Sequence, residues 1–195
     1  MAPNGIGRVS KAAIVAIAGF SLVVGLTGCS SGPAGPKTAR PATYGPAGHR
    51  FSVAFPSAPI REVDTGSLSG GLPPGSKTYG YQVSSESDIF SNSAAVPPAP
   101  AYGVAIAATT SGSFASLLSN GLVHELKAGA VTVNGRSGFE KVGPERSFPS
   151  QSKTADPNAS EGLLIVRRAS TVFLVLAVTT QPATTRAFLA SFRAS

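Results

Sequence analysis

Tryptophan is absent from the 195 residues, cysteine and methionine occur once each, and histidine occurs twice. A single cysteine excludes an intramolecular disulfide in any redox compartment. The histidines, His49 and His124, stand 75 positions apart, so with one cysteine they do not give the clustered spacing of a metal site. No metal or other cofactor is expected. With no Trp and only 4 Tyr, carbohydrate stacking has little material to work with. Charged residues make up 13% of the chain, about half the usual share. The Lys and Arg among them are scattered, and their one adjacent pair, Arg167-Arg168, lies between two apolar runs. A basic stripe is missing, and no nucleic-acid partner is expected. No phosphate-cradling G-x-x-x-x-G-K-[ST] occurs, and in GSLSGG the centre of Gly66–Gly70 is Leu68 rather than the serine of a nucleophile elbow.

What is present is glycine and proline, 22 and 16 residues, beside a hydrophobic share of 42%. That balance describes a β-rich body with long irregular loops rather than a disordered chain. Residues 1–11 carry Arg8 and Lys11 and no acid, and an uncharged apolar stretch runs from Ala12 to Leu26. At ~1.5 Å per residue this stretch spans roughly 22 Å as a helix, short of the roughly 30 Å hydrocarbon core of a bilayer. The profile is that of a signal peptide covering 1–28. Without Arg8 and Lys11, the remaining chain keeps 14 cations against 9 acids, a formal charge of +5.

The segment ends in Leu26-Thr27-Gly28-Cys29. This tetrapeptide resembles the lipobox of bacterial prolipoproteins: a branched apolar residue, two small residues that let the peptidase approach, and an obligatory cysteine. The resemblance implies recognition through Leu26, Thr27 and Gly28, cleavage after Gly28, and attachment of a diacylglyceryl group to the Cys29 sulfur. Cys29 is thus the expected lipidation site, and the expected place is the extracytoplasmic face of the cell membrane. Two acyl chains of about 16 carbons, at roughly 0.8 kcal/mol per buried CH₂, set an upper bound on the order of 20 kcal/mol for anchoring.

Residues 29–49 comprise the lipid-bearing cysteine and a Pro/Gly/Ser-rich tether, too poor in large apolar side chains to offset the entropy of ordering. Order is expected from Arg50, in one domain covering 50–195. Phe51, Val53 and Phe55 alternate as on a half-buried strand that Pro56 stops, and Ile60 to Val63 follow as a second. Lys77 to Val83 and Ala101 to Thr109 are further strands, the latter with Tyr102, Val104 and Ile106 on one side. Ser113 is the expected N-cap of a helix with Phe114, Leu117 and Leu118 on its inner face. Asn120-Gly121 either closes that helix, leaving Leu122 to Lys127 extended, or is tolerated within it. Asn134-Gly135 predicts a two-residue hairpin turn between Ala130–Val133 and Arg136–Val142. Gly162–Val166 and Thr171–Val178 are apolar without alternation, as expected of central strands covered on both faces. A closing helix over Ala183 to Phe192 presents Phe188, Leu189 and Phe192. The segments 66–75, 84–100 and 143–160 are expected loops.

An initial FSVAFP strand, a short helix, a hairpin at VNGRSGFE, two long apolar strands and a final AFLASF helix together resemble the Mog1/PsbP-like fold over roughly residues 50–193. The chain also looks like many small actinobacterial lipoproteins. The resemblance implies an α/β (α+β) fold with a central, mainly antiparallel sheet flanked by helices. It also implies an accessory or partner-binding role, with the long loops as the place for specificity. His124-Glu125 is the single pair suggestive of acid–base work, but neighbours in sequence diverge on a strand or a helix, and both are expected as solvated side chains. His49 is expected at the surface, and Tyr79, Tyr81 and Tyr102 as packing residues. The function expected is a non-enzymatic, membrane-anchored binding or accessory module that engages the membrane through Cys29 and another envelope protein through its loops. The alternative is a carrier of an apolar ligand or lipid in a cavity between sheet and helices, lined by Phe114, Leu118 and Phe188.

Overall fold

Whether a strand has one dry face or two is set by its neighbours, and the neighbours here are arranged by antiparallel pairing throughout. The computed structural model describes residues 42–62, 72–84, 99–144 and 158–195. Their elements, in chain order, are β1 (Ala42–Tyr44), β2 (Phe51–Phe55), β3 (Ile60–Glu62), β4 (Lys77–Val83), β5 (Ala101–Ala108), α1 (Gly112–Leu126), β6 (Gly129–Val133), β7 (Arg136–Pro144), β8 (Ser160–Arg168), β9 (Thr171–Thr179), α2 (Pro182–Ser191) and β10 (Arg193–Ala194). Seven strands form one sheet in the order β3-β4-β5-β9-β8-β7-β6, and β1-β2-β10 form a small second sheet.

The two faces of the large sheet carry separate cores. On one, Val104, Ile106, Leu164, Val166, Phe173 and Val175 meet Phe51, Val53 and Phe55 of β2 and Phe188, Leu189 and Phe192 of the C-terminal segment. On the other, Ala101, Ala105, Leu163, Ile165, Val172 and Leu176 meet Ala115, Leu122 and Leu126 of α1. Helices thus flank the antiparallel sheet on both sides, the α+β architecture expected. The unbroken apolar runs of β8 and β9 follow from their central place. β5 is also buried on both faces: Ala101 and Ala105 belong to the core on the α1 side, where α1 rests on β8 and β9, and Val104 and Ile106 belong to the other. Each large aromatic of the α2 side, Phe55 for instance with no exposed surface, contributes about 2–3 kcal/mol of burial.

Three local expectations are corrected. The N-cap of α1 is Ser111, not Ser113: Ser111 has extended backbone (φ −146°, ψ 148°), and its Oγ accepts the Phe114 N–H at 3.2 Å. Of the two alternatives open for Gly121 the structure takes the second: it lies inside the helix, which runs to Leu126 and closes at Lys127 in the left-handed region (φ 51°, ψ 43°). The buried side is Ala115, Ser119, Leu122 and Leu126, with Leu118 partly buried against the same core as expected, while Leu117 is 56% exposed, since a step of one residue turns a helix face by about 100°. The third correction concerns the start of order. Within the expected 29–49 tether, Ala42–Tyr44 pairs with β2 in the register Ala42↔Phe55, Thr43↔Ala54, Tyr44↔Val53. Packing therefore begins ahead of Arg50, because Tyr44 finds ring partners in Phe55 and Tyr81 that no local pattern reveals.

The Asn134-Gly135 hairpin is as expected: Val133 pairs with Arg136, and both turn residues have positive φ (50° and 76°). The Asn134 amide also donates to the carbonyls of Ala190 (3.2 Å) and Phe192 (2.6 Å), fastening the turn to the end of α2. The other end of α2 rests on Gly162 of β8, where a Cβ would stand 2.4 Å from Thr185 Cγ2 and 2.9 Å from Leu189 Cδ1. Glycine is required there for space rather than for backbone conformation.

Candidate functional site

The residues on which the sequence reading placed most chemistry, Leu26, Thr27, Gly28 and Cys29, lie outside the described residues, as does GSLSGG. Most of the loops at 66–75, 84–100 and 143–160 also lies outside them. His124 and Glu125 are exposed in the last turn of α1, as solvated side chains. Among the described residues no three His, Cys, Asp or Glu side chains gather as metal ligands, and no helix is long and apolar enough to cross a membrane.

His49 departs from its expected surface position. It is half-buried, with its ring edge-on to Tyr79 at 4.3 Å and to Tyr81 at 5.7 Å. Tyr81 is fully buried between Tyr44 and Phe51, and Tyr102 packs on Phe188 at 5.0 Å. These tyrosines are packing residues. Burial pushes the Tyr102 phenol above its usual value of 10.0. The expected ligand-cavity lining is not brought together, for Phe114 and Leu118 ride on α1 and Phe188 on α2, on opposite faces of the sheet.

Two polar groupings escaped the sequence reading. At the start of α2, Thr179 Oγ1 and Thr185 Oγ1 lie 2.8 Å apart; Thr179 donates to the Gln181 carbonyl at 2.7 Å and Thr185 to that of Ser160 at 3.3 Å. These buried hydroxyls tie α2 to β8 and β9. The second grouping is electrostatic and divides the molecule by its ends. Registers carry a single row across the end of the sheet: Arg168↔Thr171, Thr171↔Ala108, Ala108↔Lys77. Arg167 is adjacent, and its Nη1 donates to Ser116 Oγ at 2.7 Å. The Asn134-Gly135 turn, followed by Arg136, stands at this same end, since β7 reaches its partner β8 at Gly138↔Val166. Its bond to Phe192 O brings Arg193 beside it, and Ser195 N donates to Arg50 O at 2.8 Å. Five of these cations, Arg50, Lys77, Arg136, Arg167 and Arg193, are exposed and Arg168 is half-buried. No Asp or Glu stands in that row or those turns among the described residues, and α1 starts there with no acid in its first turn, adding its positive end.

The far end is mixed. There Lys141 is held below its usual value by burial first, an effect that Glu161 opposes and Lys127 reinforces. The two ends are separated by the length of α1, about 22 Å for its 15 residues.

The fold and these surfaces define a small antiparallel α+β body with helices on both sides of its sheet. No family model matches the chain, and no curated protein matches it. Among solved structures, it is similar to a cyanobacterial PsbP (CyanoP) from Synechocystis, with 11% identity and a TM-score of 0.42 over 86% of this chain and 98% of that one. A Bacteroides thetaiotaomicron crystal structure is similar at 11% identity and a TM-score of 0.42, covering 80% of this chain; the match spans about half of that protein's length, 49%.

Proposed function

We propose that this chain is an envelope lipoprotein, held through acyl groups on Cys29 at the extracytoplasmic face of the cell membrane, whose folded body is a non-enzymatic binding or accessory module. The placement is supported by the charged start, the short apolar run and Leu26-Thr27-Gly28-Cys29. The role is supported above all by the sorting of charge on a body whose two sheet faces are each filled by hydrocarbon side chains. The described chemistry lies on the outside, in the manner of a protein that presents a surface.

Intact-mass analysis of the full chain recovered from its own envelope tests the placement. The expected species begins at Cys29 and carries a diacylglyceryl mass, and Cys29→Ala is expected to abolish both the added mass and the membrane retention. A free thiol at Cys29, or a first residue elsewhere, would overturn the proposal.

A further inference from the structure

We infer that Asn134-Gly135 is a modification site of the folded chain, at which the Asn134 side-chain amide cyclises onto the Gly135 nitrogen and opens to aspartate or isoaspartate, and that the end of α2 controls the rate. The inference stands apart from the binding-module reading. Three observations carry it.

The first is the placement of the turn. In the reaction, the Gly135 nitrogen gives up its proton and bonds to Asn134 Cγ, the Cγ–Nδ2 bond breaks, and ammonia leaves with that proton. One water then opens the imide ring. Cleavage at Cγ leaves aspartate, cleavage at the main-chain carbonyl leaves isoaspartate, and nothing is oxidised or reduced. Glycine leaves the attacking nitrogen uncrowded, and both residues are exposed. The ladder closes at Val133↔Arg136, so the Gly135 N–H stands outside it. Asn120-Gly121 is the same dipeptide in the opposite situation: it lies inside α1, where the Gly121 N–H belongs to the helical ladder. Asn4-Gly5 lies outside the described residues.

The second observation is charge. The attacking nitrogen passes through an anion and the product is a carboxylate, and nearby cations favour both. Arg136 follows the turn directly, and Arg193 follows Phe192, whose carbonyl the Asn134 amide holds; both arginines are exposed. The hairpin sequence from Val131 to Phe139 contains no acid.

The third is the grip on the amide. Asn134 Nδ2 donates to the carbonyls of Ala190 at 3.2 Å and Phe192 at 2.6 Å. Ring closure swings Cγ toward the Gly135 nitrogen, so both bonds have to open first, and two such bonds slow the reaction in the fold by about tenfold or more. An aspartate has no N–H to return, and its oxygens would face the same two carbonyl oxygens. The grip that restrains the reaction is thus the one that the reaction destroys. Conversion therefore releases the end of α2, and β10 behind it, in one direction only.

The test is incubation of the full chain in mildly alkaline buffer, folded and in urea, with peptide mapping by mass spectrometry that scores amide-to-acid conversion at Asn134 and Asn120 separately. The urea sample supplies the ungripped rate at each position. In the folded chain Asn134 should convert about tenfold or more slowly than in urea, and Asn120 more slowly still. Ser191 stands between the two acceptors, and its Oγ accepts the Ala54 N–H at 3.0 Å, tying the end of α2 to β2. Ser191→Ala cuts that tie and should speed conversion of Asn134 severalfold while leaving Asn120 unchanged, which shows that the body has stayed folded. Asn134→Asp, the product made by substitution, should raise amide hydrogen exchange in the C-terminal peptide from Phe188 onward. An Asn134 that converts in urea but never in the folded chain would overturn the site. Equal rates for Asn134 folded and unfolded, or an unchanged rate in Ser191→Ala, would overturn the control by α2. Equal conversion of Asn134 and Asn120 in the folded sample would overturn the local route, and unchanged exchange in Asn134→Asp would overturn the release.

Discussion

Replacing Gly162 by alanine is the most informative small change in the described body. The new Cβ would stand 2.4 Å from Thr185 Cγ2, 2.9 Å from Leu189 Cδ1 and 3.3 Å from Val142 Cγ2. Ordinary carbon contacts lie at about 3.5–4.0 Å, so the Thr185 methyl has to retreat by about 1 Å. Thr185 and Leu189 have no exposed surface, which leaves no empty space to retreat into. Turning Thr185 about χ1 would break the 2.8 Å contact with Thr179 and the 3.3 Å bond to the Ser160 carbonyl. Overpacking costs about 1–3 kcal/mol and a disrupted buried hydrogen bond about 1 kcal/mol more, for a total of about 2–4 kcal/mol. For a body of this size, 1 kcal/mol moves the melting temperature by about 2–4 °C, so the expected fall is roughly 5–15 °C. Urea unfolding followed by circular dichroism measures the free energy, with an unchanged m-value as the sign that the denatured state is the same. Thr185→Ser removes the clashing methyl and keeps the hydroxyl. Combined with Gly162→Ala it should recover at least about 1 kcal/mol relative to additivity. A loss below about 0.5 kcal/mol for Gly162→Ala, or a strictly additive double variant, would refute the close approach of α2 to β8.

Other expectations follow from single features. Ser111→Ala should cost about 1 kcal/mol through loss of the α1 cap, whereas Ser113→Ala should stay within about 0.5 kcal/mol; a reversed order in urea melts would return the cap to Ser113. Asn134→Ala should lower stability by about 1–3 kcal/mol, because it removes two bonds to the end of α2 and places alanine at a positive φ; an unchanged urea midpoint would contradict this. Tyr102, with its phenol raised by burial, keeps its proton in the fold at pH values where the unfolded chain has lost it. The folded state then binds more protons, so this group's contribution is full below pH 10 and declines as pH rises above it. Stability curves between pH 9 and 11 should fall less steeply for Tyr102→Phe than for the parent, and equal slopes would dismiss the effect.

Much of the β framework can be read directly from residue patterns. Phe51, Val53 and Phe55 give a one-faced strand, Asn134-Gly135 a tight turn, and the unbroken runs in β8 and β9 a central position. Each of these depends on neighbours a few residues away. The inner face of α1 is less legible, because Phe114, Leu117 and Leu118 form as good a stripe as the one that is buried. The seating of α1 on β8 and β9 buries Ala115, Leu122 and Leu126, keeps Leu118 partly buried beside them and leaves Leu117 exposed.

The arginine end was not legible at all. Its cations are spread in sequence from Arg50 to Arg193, and the same sequence reads as one without a basic stripe. They meet because antiparallel pairing sends alternate turns to the same edge of a sheet, a consequence of register and not of spacing. The early packing of Tyr44 and His49 has the same origin, since their ring partners come from β2 and β4. Local chemistry, short-ranged along the chain, thus determined the strands, the turn, the closing helix and the expectation of a lipid-bearing Cys29. Long-range pairing decided which charges share a surface, which helix face is dry and where the folded body begins, because those depend on contacts between residues that only the completed sheet brings within reach.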